Sequence, residues 1–144
     1  MQRILQKELV QVYYSACANN TVVKDLILEA NRKGKVYVGS EHFPILFGAS
    51  TSEQVALEFT KQIKLPTEHY SRVLFKIKLD DTFDLNPFII LKNLSIKEQE
   101  QEIVFSPIIE DGFLYMSEFC VQKYKEQESL RVFYLQQIII KKAI

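Results

Sequence analysis

Residues 47–59 read Phe47-Gly48-Ala49-Ser50-Thr51-Ser52-Glu53-Gln54-Val55-Ala56-Leu57-Glu58-Phe59. Small residues lead into three consecutive hydroxyls, after which Val55, Ala56 and Phe59 recur at helical spacing. Ser52 is suited to accept a hydrogen bond from the first turn, so a helix over 52–62 with Ser52 as its N-cap is predicted. A second stretch, Glu98-Gln99-Glu100-Gln101-Glu102, runs straight into the apolar Ile103-Val104-Phe105. On an extended chain, residues two apart face the same way. Glu100 and Glu102 would then stand side by side, where like charges repel unless something uses them.

Outward from these stretches the chain divides into helical and β-rich parts. Apolar residues Ile4, Leu5, Leu9, Val12 and Tyr13 fall close to helical spacing, and Asn19-Asn20-Thr21 breaks the pattern. A second helix is expected over 22–32, ended by Arg32-Lys33-Gly34. Short strands are expected at 35–38 and 43–47, and the best strand in the chain at 73–79. Pro87 suits the first turn of a short helix over 86–93. Strands return at 103–105, 113–115 and 131–140, with 123–128 as a solvated turn. Helices first and strands later, without regular alternation, predict an α+β fold with antiparallel sheets.

Composition narrows the function classes. The 144 residues carry 18 Lys+Arg against 18 Asp+Glu, and both signs are mixed along the chain. Without a basic stripe in the sequence to neutralise phosphates, nucleic-acid binding is not expected. The longest apolar runs, such as Phe88-Ile89-Ile90-Leu91, fall far short of the ~20 residues of a membrane helix, so no membrane partner is expected. The start, Met1-Gln2-Arg3-Ile4, shows no apolar signal region, and the chain is read as soluble, either cytoplasmic or exported after signal removal. Cys17 and Cys120 lie far apart with no Cys/His cluster near them, so no metal site is expected; buried free thiols are the reading, with one disulfide as the alternative. His42 and His69 have no nucleophile at a suggestive spacing. One domain over 1–144, acting as a monomer, is the expectation.

Taken in order, the two stretches resemble the arginine-specific mono-ADP-ribosyltransferase family. In that family a strand carrying aromatic-Arg-Gly precedes a Ser-Thr-Ser element and its helix, and a later strand follows Glu-x-Glu. Ser50-Thr51-Ser52 with Val55, Ala56 and Phe59 is similar to the second motif, and Glu100-Gln101-Glu102-Ile103-Val104-Phe105 to the third. Val73-Leu74-Phe75-Lys76-Ile77 sits where the intervening strand belongs. The first motif reads Tyr37-Val38-Gly39, with Val38 where the family has arginine.

The resemblance implies two antiparallel sheets around an NAD cleft, preceded by N-terminal helices. It implies transfer of ADP-ribose from NAD to an arginine side chain of a protein, with NAD hydrolysis as a side activity, in the manner of a toxin or effector. Glu102 would stabilise the cationic ribose, Ser50 would orient Glu102, and Glu100 would position the acceptor guanidinium. Tyr37, Val38, Gly39, Ser50, Thr51 and Ser52 would line the dinucleotide site. The alternative that valine at 38 raises is a relative that has kept the fold and is catalytically weak or inactive, serving as a protein-binding module.

Overall fold

Residues 11–19, expected at the end of a helix and the break after it, form a strand. Val12, Tyr13 and Tyr14 are β-branched or aromatic and suit a pleated surface. Their alternation buries Val12 completely while Tyr13 and Ser15 face the other way. The helical spacing of Ile4, Leu5 and Leu9 falls in residues outside those described. The computed structural model describes residues 2–3, 11–32, 35–37, 47–80, 88–90, 102–105, 108–127 and 129–144.

In chain order the elements are β1 (Gln2–Arg3), β2 (Gln11–Asn19), α1 (Asn20–Arg32), β3 (Lys35–Tyr37), β4 (Phe47–Ser50) and α2 (Glu53–Gln62). Then come β5 (Tyr70–Lys78), β6 (Phe88–Ile90), β7 (Glu102–Phe105), β8 (Ile108–Glu110), β9 (Phe113–Gln127) and β10 (Leu130–Ala143). Among the described residues all ten strands join one sheet in the order β1-β6-β7-β4-β2-β5-β10-β9-β3, with β8 paired to β9 off this path. The expected pair of antiparallel sheets is therefore corrected to one mixed sheet. Its parallel pair is β5 with β10, and the intervening chain is long enough for the crossover such a pair requires. Among the described residues two helices flank it, and strand β2 precedes the first of them. The expected helix over 86–93 contains strand β6 instead.

The 123–128 segment is also a correction, since β9 continues through Gln127. Lys123, Lys125 and Gln127 alternate with Tyr124, which packs against the core, so a run that looks like a solvated turn is a strand with one wet face. The hairpin between β8 and β9 turns on Asp111 (φ 51°) and Gly112 (φ 78°), the paired positive angles that match strand twist.

Two adjacent residue rows define the two faces of the sheet. On one face Tyr14, Phe75, Phe133 and Tyr124 are successive cross-strand partners on β2, β5, β10 and β9. Tyr14 and Phe75 stack at 5.8 Å, Phe75 and Phe133 at 5.4 Å, and Tyr124 tilts against Phe133 at 4.9 Å. With Val12, Val73, Ile77, Phe119 and Leu135, this row forms the main core, covered by Val23 and Leu26 of α1. Asn19 caps α1 by accepting from the Thr21 N–H at 2.9 Å. The opposite face holds a smaller cluster, Ala56, Leu74 and Val132, under α2. Among the described residues no helix is long and apolar enough to cross a membrane.

Candidate functional site

The Ser50-Thr51-Ser52 element connects strand β4 to helix α2, and its hydroxyls build the turn. Ser52 sits in extended geometry (φ −106°, ψ 120°) and its side chain accepts from the Val55 N–H at 3.3 Å. The Ser52 N–H in turn donates to Ser50 Oγ at 3.0 Å. Ser50 is buried, with 9% of its surface exposed. Its hydroxyl is thus held under the turn rather than left to rotate in solvent. Ser52 is the N-cap expected from the sequence.

Strand pairing then sets what lies beside Ser50. In the β4–β7 ladder Ser50 is the Cα partner of Glu102, followed by Ala49 with Ile103, Gly48 with Val104 and Phe47 with Phe105. On its other side Ser50 is the Cα partner of Tyr13 in β2. Tyr13 pairs with Lys76 in β5, Lys76 with Tyr134 in β10, and Tyr134 with Lys123 in β9. One row of residues thus crosses six strands: Glu102, Ser50, Tyr13, Lys76, Tyr134, Lys123. Residues two strands apart in such a row are separated by roughly 10 Å.

The middle of this row is electrostatically organised. Lys76 Nζ lies 2.6 Å from Glu53 Oε1, the carboxylate in the first turn of α2, and 5.4 Å from the Tyr134 ring centroid. Burial alone would lower the Lys76 pKa. The Glu53 hydrogen bond and charge, with smaller contributions from Tyr134 and Tyr13, outweigh it and leave the ammonium above its ordinary value. The Tyr13 phenol is raised, first by burial and then by the Glu53 charge. Both groups therefore keep their protons at neutral pH. Behind them, Ser15 donates to the Ala56 carbonyl at 2.8 Å, and the buried Thr60 hydroxyl lies 2.7 Å from both Ser15 Oγ and that carbonyl. These bonds tie α2 to β2, so the helix, the turn and the row form one unit.

The fold brings Ser50 and Glu102 together from positions far apart in sequence. Glu100, Val38 and Gly39 lie outside the described residues. Tyr37 ends β3, which pairs with β9 at the far edge of the sheet, five strand steps from β4. It is not beside Ser50 in the sheet. On the side of β4 away from β7 the neighbour is β2, and sequence reasoning missed its Tyr13 because a helical period was read there. The alternation of Val12 and Tyr14 with Tyr13 and Ser15 was the signal that marks a strand. Lys76 was visible only as a member of a good strand. Both cysteines are free, and Cys17 is exposed rather than buried, because it lies near the end of β2 beyond the cover of α2.

No family model and no curated protein matches the chain. Solved structures do. The ADP-ribosyltransferase Vis in complex with the M6 inhibitor superimposes with a TM-score of 0.62 at 15% identity, covering 90% of this chain and 49% of that one. Vis in complex with agmatine gives 0.60 at 15% identity over 89% and 48%. The Vis toxin from Vibrio splendidus gives 0.60 at 15% over 90% and 48%. The chain thus spans about half the length of the chains it matches. At this identity the likeness concerns architecture, and what it establishes is that this chain has the ADP-ribosyltransferase fold.

Proposed function

We propose that this chain cleaves the bond between nicotinamide and ribose in NAD and transfers the ADP-ribose to an arginine side chain of a protein. The observation that carries the reading is the β4–β7 register, with Ser50 opposite Glu102. Residues directly opposed in an antiparallel pair have Cβ atoms about 4.5–5.5 Å apart, and a serine hydroxyl over that span can donate to a carboxylate. The likeness to Vis, one structure of which holds the guanidine agmatine, supports the choice of acceptor.

In this reading nicotinamide departs with the electron pair of its bond to ribose, leaving an oxocarbenium-like cation. The Glu102 carboxylate stabilises that charge, as carboxylates do in glycoside cleavage. Ser50 acts by positioning Glu102. Glu100 holds the incoming guanidinium and takes the proton it must lose on attack, since arginine is otherwise always charged. Attack by water instead would give the side reaction, NAD hydrolysis. Thr51 and Ser52 shape the turn beside the dinucleotide. The resemblance assigns Tyr37, Val38 and Gly39 to the dinucleotide as well; the sheet order favours β2, with Tyr13, for that position.

Nicotinamide release from NAD tests the reading, with and without a small guanidine acceptor. Glu102→Gln should lower release by about 10²–10³-fold, the usual cost of removing one transition-state charge partner. Release that rises with the acceptor and needs Glu102 supports an arginine transferase. Activity that appears only in Val38→Arg would mark a relative that has lost turnover. Silence in all variants, with no stabilisation by NAD, would leave a binding module.

A further inference from the structure

The net charge of the chain is zero, yet the face of the sheet that carries the Ser50 row is not neutral. Alternation along β5 puts Arg72, Lys76 and Lys78 on this face, and the cross-strand register puts Lys123 and Lys125 of β9 there too. Lys78, Lys123 and Lys125 are exposed. Over 70–78, 123–127 and 130–134 no carboxylate of these strands faces this side among the described residues, since Glu126 pairs with Arg131 on the other face. The carboxylates that do reach this side are Glu53 of α2, held by Lys76, Glu102 at the β7 end of the row, and the buried Glu118 farther along β9, all outside the stretch that carries Lys78, Lys123 and Lys125.

The same face holds a groove of about 750 Å³ between the C-terminal half of α2 and the β9–β10 turn. Leu57 and Leu130 form its apolar lining, and Lys61 and Arg72 stand at its wall. Arg72 is fixed there, donating through Nε (3.2 Å) and Nη2 (2.8 Å) to the Ile63 carbonyl. Ser129, in left-handed geometry (φ 69°), turns the chain at its end. From the first turn of α2 to Thr60 is roughly 10 Å along the helix, so groove and Ser50 row are neighbours.

The geometry points to this groove and its lysine face as the docking site for an acidic segment of the protein acceptor, with an apolar side chain seated between Leu57 and Leu130. The inference rests on the transferase reading, and it names the chemistry of the partner. Charge complementarity selects acidic protein. A nucleic acid is disfavoured because Tyr134, the ring among the exposed lysines, is flanked by Lys76 at 5.4 Å and Lys123 at 5.8 Å, which leaves no open platform for a base there. Cations on a face also steer encounter, an effect that salt screens.

Fluorescence anisotropy with a fluorescein-labelled peptide of glutamates around one leucine tests this without NAD and so independently of turnover. Binding should weaken as salt rises. Lys61→Glu/Lys125→Glu should weaken it at least about tenfold and acquire affinity for the matching lysine peptide; circular dichroism confirms that the variant is folded. Leu130→Ser should weaken binding with the salt slope unchanged. Equal binding by wild type and charge-reversed variant overturns the inference, as does tighter binding to single-stranded DNA or to anionic phospholipid vesicles than to the peptide. Peptide binding without any NAD turnover would retain the docking site while refuting the transferase.

Discussion

The Glu53–Lys76 pair joins the first turn of α2 to the centre of the sheet, and its two ends differ in exposure. The Lys76 side chain is 16% exposed and that of Glu53 43%, at 2.6 Å separation. Glu53→Ala would strand an ammonium among Tyr13 and Tyr134 with little water to replace its partner. Exposed pairs contribute about 0.2–1 kcal/mol, and breaking buried ones costs about 3–5 kcal/mol. This half-buried pair falls between, at about 1–1.5 kcal/mol. The lost interaction of a carboxylate with the helix N-terminus adds about 0.3–1 kcal/mol. Glu53→Ala should therefore cost about 2 kcal/mol. Lys76→Met keeps the packed stem and leaves Glu53 free to hydrate, so it should cost about 1 kcal/mol or less. Urea unfolding of the wild type, both single variants and the double variant reads these values. A coupling of about 1 kcal/mol is expected, since the double variant has no buried charge left to strand. Costs that simply add, or a Lys76→Met loss larger than that of Glu53→Ala, would refute the reasoning.

Other outcomes follow from the same contacts. Raised pKa values at Lys76 and Tyr13 stabilise the fold while the unfolded groups still hold their protons, and that contribution disappears as pH climbs through the raised native values. Wild-type stability should thus fall above about pH 10, and the difference from Lys76→Met should shrink there. Ser52→Ala removes the cap of α2 and should cost about 1 kcal/mol by urea unfolding. Phe133→Ala opens the aromatic row at a fully buried position and should cost about 3–5 kcal/mol, visible as a large drop in the thermal midpoint. Thr60→Val empties a buried hydroxyl position, with an expected loss of about 1 kcal/mol by the same measure.

Local chemistry made several elements legible in the sequence. Ser52 caps α2 because a side-chain oxygen three residues before a free N–H needs no tertiary help. The strand expected at 73–79 also followed from residue order, and β5 covers most of it. What the tertiary structure decided is everything set by partners distant in sequence. Gln11–Asn19 has enough helical spacing in its neighbourhood to read as helix, yet nine residues of pairing with β5 outweigh local preference. Residues two rows apart on a strand share a face, and a shift of one reverses it. That is why Tyr13 lies in the Ser50 row while Tyr14 stacks on Phe75, and why five scattered cations form one face in a chain of zero net charge. Register is a property of two strands at once, and one strand's sequence does not contain it.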